Sequence, residues 1–442
     1  MRWLICVICG VCLSAVTARA EGPARLRLIV ETDAGGDPDD EQSLVRFLVY
    51  ANEWDVEGII ANRPKARDGE NVNPVRDGLG IVRRQLRAYG EVRPKLVLHD
   101  PRYPTQAALE AVTVAGYDDV DDGVNLVMRA VDRDDARPVW FLNWGTDKAS
   151  GESCLKRALD RVLKERGAQG YATFKKKIRL SSDDKFGRHT WELQPAFAFW
   201  AYPFYPDMDG GRWYWRFSAL TRKAGGFDLK RDVLEGHGAL GKLYPTNTGM
   251  AQKEGDTMTF LRLIPNGLNE PEHPEWGSWA GRFGLRPEAK GRRYYWPNVR
   301  DTLDGKTNRD TTLSRWAVHL QNDFRARMDW CVKDYAGANH PPTVKVAGEM
   351  RRAVKARDEV ELNASGSSDP DGNVLKIEWL VYPEASGYRG EIPKVRDDGG
   401  GRTNVKIPAD AAGQAIHVIT VVTDDGTPAL TRYGRVILEV GR

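Results

Sequence analysis

Two hydrophobic periods alternate along the first half of this chain. The runs RLRLIV, VEGIIA, KLVLH, PVWFLNW and KIRLSS are short, apolar and bounded by polar or turn residues, the pattern of buried strands. Between them, QSLVRFLVYA, NPVRDGLGIVRRQLRAYG and SCLKRALDRVLKER carry apolar residues at helical spacing, as at Val75, Leu79, Ile81, Val82 and Leu86. Strand and helix taking turns predicts βα units, hence an α/β fold with a mostly parallel sheet flanked by helices. PAFAFWAY, residues 195–202, fits either element. Residues 200–310 lose the periodicity and are rich in Gly, Pro and Trp; long connections of that kind in compact domains tend to be functional. A last helix is expected over 311–332.

At AGANHPP, residues 336–342, the pattern changes. TVKVA, EVELNA, LKIEWLVY, TNVKIP, IHVITVVTDD and YGRVILEV are short alternating runs separated by SSDPDG, DDGG and DDGTP. That is the pattern of an all-β, Ig-like sandwich. Two units are therefore expected: an α/β domain over 24–335 and a sandwich over 342–442 that folds without the rest. Asp369, Asp371, Asp424 and Asp425 lie in the sandwich's turns, where they serve either as turn formers or as calcium ligands.

Composition changes this picture in three places. Arg2, the apolar run from Leu4 to Val16 and the Ala18-Arg19-Ala20 site read as a cleaved signal peptide over 1–20, which predicts a secreted or periplasmic protein. That run is too short to span a bilayer, which takes about 20 residues, and no other stretch is apolar enough for a stable span. Without Arg2 and Arg19 the net charge falls from +3 to +1, and KKK at 175–177 is a single run, so nothing points to nucleic acid. Cys154 and Cys331 would remain, either as a disulfide or as two buried thiols. The tryptophans crowd into the second half of the α/β region. WYWRF and PEWGSWAGRF place them among Gly, Arg and Pro, a context that suits stacking on sugars or bases as well as core packing. Oligomeric state has no signature here.

The candidate chemistry sits after the first strand. Leu28, Ile29 and Val30 deliver Glu31, Asp33, Asp37, Asp39, Asp40 and Glu41, broken by Gly35, Gly36 and Pro38, and a helical run follows. Capping that helix needs one aspartate, not carboxylates straddling a double glycine. Crowded carboxylates repel unless a cation sits among them or one stays protonated. Oxygen ligands at this density suit Ca²⁺ or Mg²⁺ rather than zinc. Just beyond a strand's carboxyl end is also where α/β sheets place their chemistry.

ETDAGGDPDDEQSLVRFL resembles the N-terminal signature of the nucleoside hydrolases. Taken in order with VEGIIAN, PVWFLNWGT, EGHGALGKLYP, EGDTMTFLRLIPNGLNEPEHPEWGSWAGRFG and NASGSSDPDG, it resembles the bacterial proteins named cellulose-binding, in which a nucleoside-hydrolase-like domain precedes an Ig-like one. The resemblance implies a calcium-dependent hydrolase of N-glycosyl or related glycosidic bonds. Asp33 would be the base, and Asp33, Asp39, Asp40, Asp256 and the Thr146 carbonyl would hold calcium. Two residues more than the family spacing separate Asp33 from the Asp39-Asp40 pair, so Asp37 is an alternative ligand. Asn143 and Asp147 are alternatives to Thr146, and Glu254 lies near Asp256. Asp256 would serve equally as the N-cap of a helix over Thr257–Leu263. Asn62 would bind the sugar, or else simply end its strand. The family's histidine for protonating the leaving group has no counterpart beside Asp256; His237 and His189 are the remaining candidates. The expected ligand is a saccharide or nucleoside-like small molecule. A carbohydrate-binding protein that keeps the fold without turnover is the alternative implied by the family's name.

Overall fold

The computed structural model describes residues 24–118, 120–145, 153–182, 199–201, 213–248, 252–285, 293–397 and 400–442. The expected signal segment, Thr146, Asp147 and His189 lie outside them. The α/β part opens with β1 (Leu26–Thr32), α1 (Asp39–Val49), β2 (Trp54–Ala61), α2 (Gly78–His99), α3 (Gln106–Ala111) and β3 (Thr113–Ala115). It continues through α4 (Asp122–Asp132), β4 (Val139–Asn143), α5 (Cys154–Lys176), β5 (Ile178–Ser182) and β6 (Phe199–Ala201). Then come α6 (Trp213–Thr221), α7 (Gly238–Lys242), α8 (Met258–Leu261), β7 (Gly284–Leu285) and β8 (Arg293–Trp296). The hairpin β9 (Asp301–Leu303) and β10 (Lys306–Asn308) leads to α9 (Thr311–Ser314) and α10 (Ala317–Trp330).

The main sheet runs β3-β2-β1-β4-β5-β6-β8-β7, parallel throughout except for β7 on β8. The chain steps from β1 outward to β2 and β3, then returns to lay β4 on β1's other edge. The strand order therefore reverses between β1 and β4, the switch point where α/β sheets open a crevice. Leu28 and Val30 of β1 join one core with α1, α2 and α10, while Ile29 joins a second core with α4 and α5. Every residue of α1 is buried, so this helix is a central strut beneath the sheet.

The alternating strands and helices form the expected α/β sheet, with local exceptions. KLVLH is the last turn of α2 rather than a strand. Tyr89, Val92 and Leu96 face the core at helical spacing, and a five-residue apolar run cannot distinguish the two elements by itself. β3, three residues long, left no pattern to read. The helix expected over 311–332 breaks into α9 and α10 at Arg315 and Trp316. WYWRF lies in the helix α6, and Trp279 is fully buried, its indole N–H donating to the Tyr433 hydroxyl at 3.1 Å. Trp276 stacks on His273 with ring centroids 3.8 Å apart. Trp279 is thus core and not a sugar platform. Cys154 and Cys331 are free thiols buried in different cores.

The C-terminal sandwich pairs a four-stranded sheet with a three-stranded one. The first contains β11 (Arg351–Val354), β13 (Leu375–Val381), β16 (Ala415–Asp424) and β17 (Thr431–Val440); the second contains β12 (Glu359–Asn363), β14 (Val395–Asp397) and β15 (Arg402–Lys406). TVKVA makes only a bridge from Thr343 to Ser368, and RRAV forms β11 instead, along β17. The expected boundary is a seam rather than a free linker. Leu362, Trp379, Val405, Val418 and Leu438 form a core private to the sandwich. Tyr382, Ile419, Val421 and Tyr433 belong instead to the α/β core, beside Trp279 and Trp316. The turn aspartates are turn formers: Asp369 Oδ1 accepts the Asp371 and Asn373 N–H groups, and Asp424 Oδ1 accepts those of Gly426 and Leu430. Among the described residues no helix is long and apolar enough to cross a membrane.

A candidate acidic site at the sheet switch point

Three segments meet at the carboxyl ends of β1 and β4. The first is the turn after β1, where the Gly36 N–H closes on the Asp33 carbonyl at 2.8 Å. Gly35 sits at φ +98°, and a Cβ there would come within 3.2 Å of Ile81, so glycine suits both the backbone and the space. The turn leads into the first turn of α1, with Pro38 at the N-cap position and Asp39, Asp40 and Glu41 following it. Three acids there complement the helix dipole, yet none of them makes a side-chain cap.

The second segment, residues 252–257, is docked onto α1. Gln42 Oε1 accepts the N–H groups of Lys253 at 2.8 Å and Glu254 at 3.0 Å, and Ser43 Oγ accepts that of Asp256 at 3.3 Å. Glu254 holds φ +45° and makes two bonds to the buried Arg46 guanidinium, at 2.5 and 3.1 Å. Tyr244, Gln252 and Thr257 also donate to it. Glu254 is therefore a tether that positions Asp256. The helix that follows is only Met258–Leu261, and the residue at its N-cap is Thr257 rather than Asp256.

This docking brings oxygens of Asp39, Asp40 and Asp256 within 4.8 Å of one another. Asp40 accepts from Thr32 Oγ1 at 2.5 Å. Its pKa is pushed well above the carboxylate range, first by burial, then by the Asp256 and Asp33 charges and a hydrogen bond with Asp33. The third segment follows β4. A Cβ on Gly145, which has φ +143°, would come within 2.9 Å of Asp33 Oδ1, so the glycine leaves room for that carboxylate. Asn62, at the end of β2, donates from Nδ2 to the Gly145 carbonyl at 2.6 Å, and its buried Oδ1 accepts no hydrogen bond from the described residues. Asn143 Oδ1 accepts the Gly145 N–H at 3.0 Å. Three carboxylates within reach of one point, with Asp33 hydrogen-bonded to one of them, form a hard-oxygen donor set of the kind that suits Ca²⁺ or Mg²⁺.

Asp33, Asp39, Asp40, Asp256 and Asn62 are thus brought together. Thr146, two positions after Trp144, lies outside the described residues, as do Asp147 and His189. Asp37 turns to Lys253 rather than into the carboxylate group. Glu41 faces away, holding Asn71 at 2.6 Å and Asn73 at 2.8 Å. His237 must be corrected as a substrate residue: its Nε2 lies 3.3 Å from Asp329 at the far end of α10. Neighbouring Gly238 packs on Val92. Val92 is about 20 Å along α2 from the Gly78 end that borders Arg63. The Gly-His-Gly context gave no warning, because sequence carries no depth along a helix.

Lys253 and Arg63 join the site without having been singled out from the sequence. Lys253 Nζ contacts Asp37 and lies 3.0 Å from Asp39. Arg63, 5% exposed, reaches within 3.8 Å of Asp33. Glu31 points to the opposite sheet face, where it accepts Ser153 Oγ at 2.5 Å and the Cys154 N–H at 2.8 Å. Burial raises its pKa to about 7, with Ser153, Cys154 and Asn62 pulling the other way. Lys253 had a sequence signal: a cation three residues before the selected Asp256, inside KEGD.

Residues 27–283 match the family described as cellulose-binding Sde182, nucleoside hydrolase-like domain, and residues 359–440 match the cellulose-binding protein Sde0182 C-terminal domain. No curated protein matches. Among solved structures, a nucleoside hydrolase-related hypothetical protein from Saccharophagus degradans, associated with carbohydrate metabolism, is 32% identical. The match covers 94% of this chain and 100% of that one, with a TM-score of 0.73. The chain belongs to the cellulose-binding Sde182 family, with its nucleoside hydrolase-like domain followed by its C-terminal domain.

Proposed function

We propose that this chain is an exported, calcium-dependent hydrolase of a saccharide's N-glycosyl or related glycosidic bond. The observation that carries the reading is the convergence of Asp39, Asp40 and Asp256 beside Asp33 at the switch point. Asp33, Asp39, Asp40 and Asp256 would hold the ion, with the Thr146 carbonyl as a further ligand. Bound calcium would keep sugar hydroxyls and a water close together. Asp33 takes the proton of that water as its oxygen bonds the anomeric carbon. The bond to the leaving group breaks as the sugar passes through an oxocarbenium-like state. Asn62 holds the Gly145 carbonyl, and so the start of the segment that carries Thr146. The leaving group takes up a proton as it departs, and His237 is too distant to supply it.

Asp33→Asn tests this reading. A carboxamide can still bind a cation weakly but cannot accept the proton. Turnover of a ribose or glucose with an activated leaving group should fall about 10²–10⁴-fold while ligand binding persists. Wild-type turnover in that variant would refute the assignment of the base.

A second reading is saccharide binding without turnover. The family's cellulose-binding name favours it, and so does Lys253, which already occupies one side of the carboxylates. Wild type that releases nothing from the activated substrate, yet is retained on cellulose, would select it.

A further inference from the structure

Lys253 is the feature that the hydrolase reading leaves unused. It sits on the segment that delivers Asp256, its backbone fixed by Gln42. Its side chain is 11% exposed. The ammonium contacts Asp37 and lies 3.0 Å from Asp39 Oδ2, and Asp39 is one of the three carboxylates that converge. A single carboxylate therefore faces both a resident ammonium and the point where a divalent ion would sit. Asp37 differs from Asp39 in exposure, its side chain being 37% accessible against 12%. It stands outside the converging group.

We propose that Lys253 is a built-in competitor for the cation, and that Asp37 is the position to which it withdraws when the ion takes Asp39. The proposal rests on the calcium reading above. With the site empty, the ammonium offsets part of the carboxylate repulsion. With the ion bound, a positive charge a few ångströms from a dication is unfavourable, and Asp37 relieves that by drawing the ammonium to itself. Lys253 thereby raises the calcium concentration at which the site fills, and Asp37 lowers it. The two residues act in opposite directions on one equilibrium.

The experiment is calcium titration of the full chain after chelation, read by calorimetry and by the shift in melting temperature. Lys253→Met should bind calcium at least about tenfold more tightly than wild type, Lys253→Arg should behave like wild type, and Asp37→Asn should bind more weakly. If Lys253→Met binds no more tightly than a wild type that does bind, the competitor role is overturned and the calcium reading stands. If Asp37→Asn binds as well as wild type or better, the withdrawal position is wrong and the proposal fails. Should Lys253→Met not fold, the Asp37→Asn result decides. If neither wild type nor Lys253→Met takes up calcium, the site reading itself falls, and this inference with it.

Discussion

Two buried aspartates in this molecule have opposite fates. Asp323, on α10 at the seam, lies 2.6 Å from Arg432 of the sandwich, 3.1 Å from Arg327 and 2.7 Å from the Tyr50 hydroxyl. Burial alone would raise its pKa, but the Arg432 and Arg327 charges and the Tyr50 hydrogen bond outweigh burial and lower it. Asp40 is equally buried, yet its charged neighbours are Asp256 and Asp33, so its pKa moves the other way. Asp301 repeats the seam's pattern, with Arg282 at 2.7 Å and the Tyr382 hydroxyl at 2.6 Å. The seam sets its buried aspartates against arginines, whereas at the switch point Asp40 faces other carboxylates. Like charges gathered in one crevice are the pattern that the proposed ligand site would explain and that packing alone does not call for.

The seam should break hardest. Asp323→Ala leaves Arg327 and Arg432 without their shared carboxylate and should cost about 3–5 kcal/mol. Denaturant unfolding of the whole chain measures it. A loss within experimental error of zero would mean that the seam charges are not what they look like, and the contrast with Asp40 would collapse.

The switch point should respond with the opposite sign. In chelated protein, Asp40→Asn removes one of the repelling carboxylates while keeping an acceptor for Thr32. It should stabilise the fold by about 0.5–2 kcal/mol, as trading function for stability usually does. In excess calcium the order should reverse, because the variant has lost a ligand and with it part of the linkage stabilisation. A variant that destabilises the chelated protein as Asp323→Ala does would show both aspartates to be structural.

The two regions also differ in how far the sequence revealed them. Asp33, Asp39 and Asp40 are neighbours along the chain after a strand, so period and chemistry named them together. Asp256 needed the family motif, because nothing local says that Gln42 and Ser43 will bind its loop. The pairings of Lys253 and Arg63 with the acidic turn escaped for the same reason: contact across more than 200 residues, or between the ends of β2 and β1, leaves no spacing to count. The seam was invisible altogether. Its pieces, Trp279, Trp316, Tyr382 and Tyr433, are aromatic residues of two separate patterns, each of which reads as the core of its own unit. The sandwich strands were legible because their alternation is local, and the acidic turns read two ways because Asx turns and calcium loops share a composition.

The smallest effect expected is on the seam's response to acid, at His99. This residue ends α2, stacks on Trp330 with centroids 5.1 Å apart, and points Nδ1 at His340 Nε2 over 2.8 Å. His340 in turn contacts Asp371 of the sandwich at 2.9 Å, so the two rings form a bridge from α2 to the β-sandwich. Burial lowers the His99 pKa from 6.5 to about 4, and the His340 neighbour pushes the same way. A histidine whose folded pKa lies below its unfolded value binds fewer protons when folded. Its contribution to stability is therefore intact above pH 6.5 and is lost as pH falls toward about 4. The ring is only part-buried, so solvent screening keeps the loss to about 1 kcal/mol or less. Unfolding series from pH 7.5 to 4 for wild type and His99→Gln, both in chelator, should show a shallower decline for the variant. Asp40 at the switch point works against that decline, since a raised carboxyl pKa favours the folded state at low pH. Combining His99→Gln with Asp40→Asn should therefore restore part of the acid sensitivity that the single histidine variant removes. Parallel curves for wild type and His99→Gln would show that the histidine bridge carries no share of the seam's pH dependence.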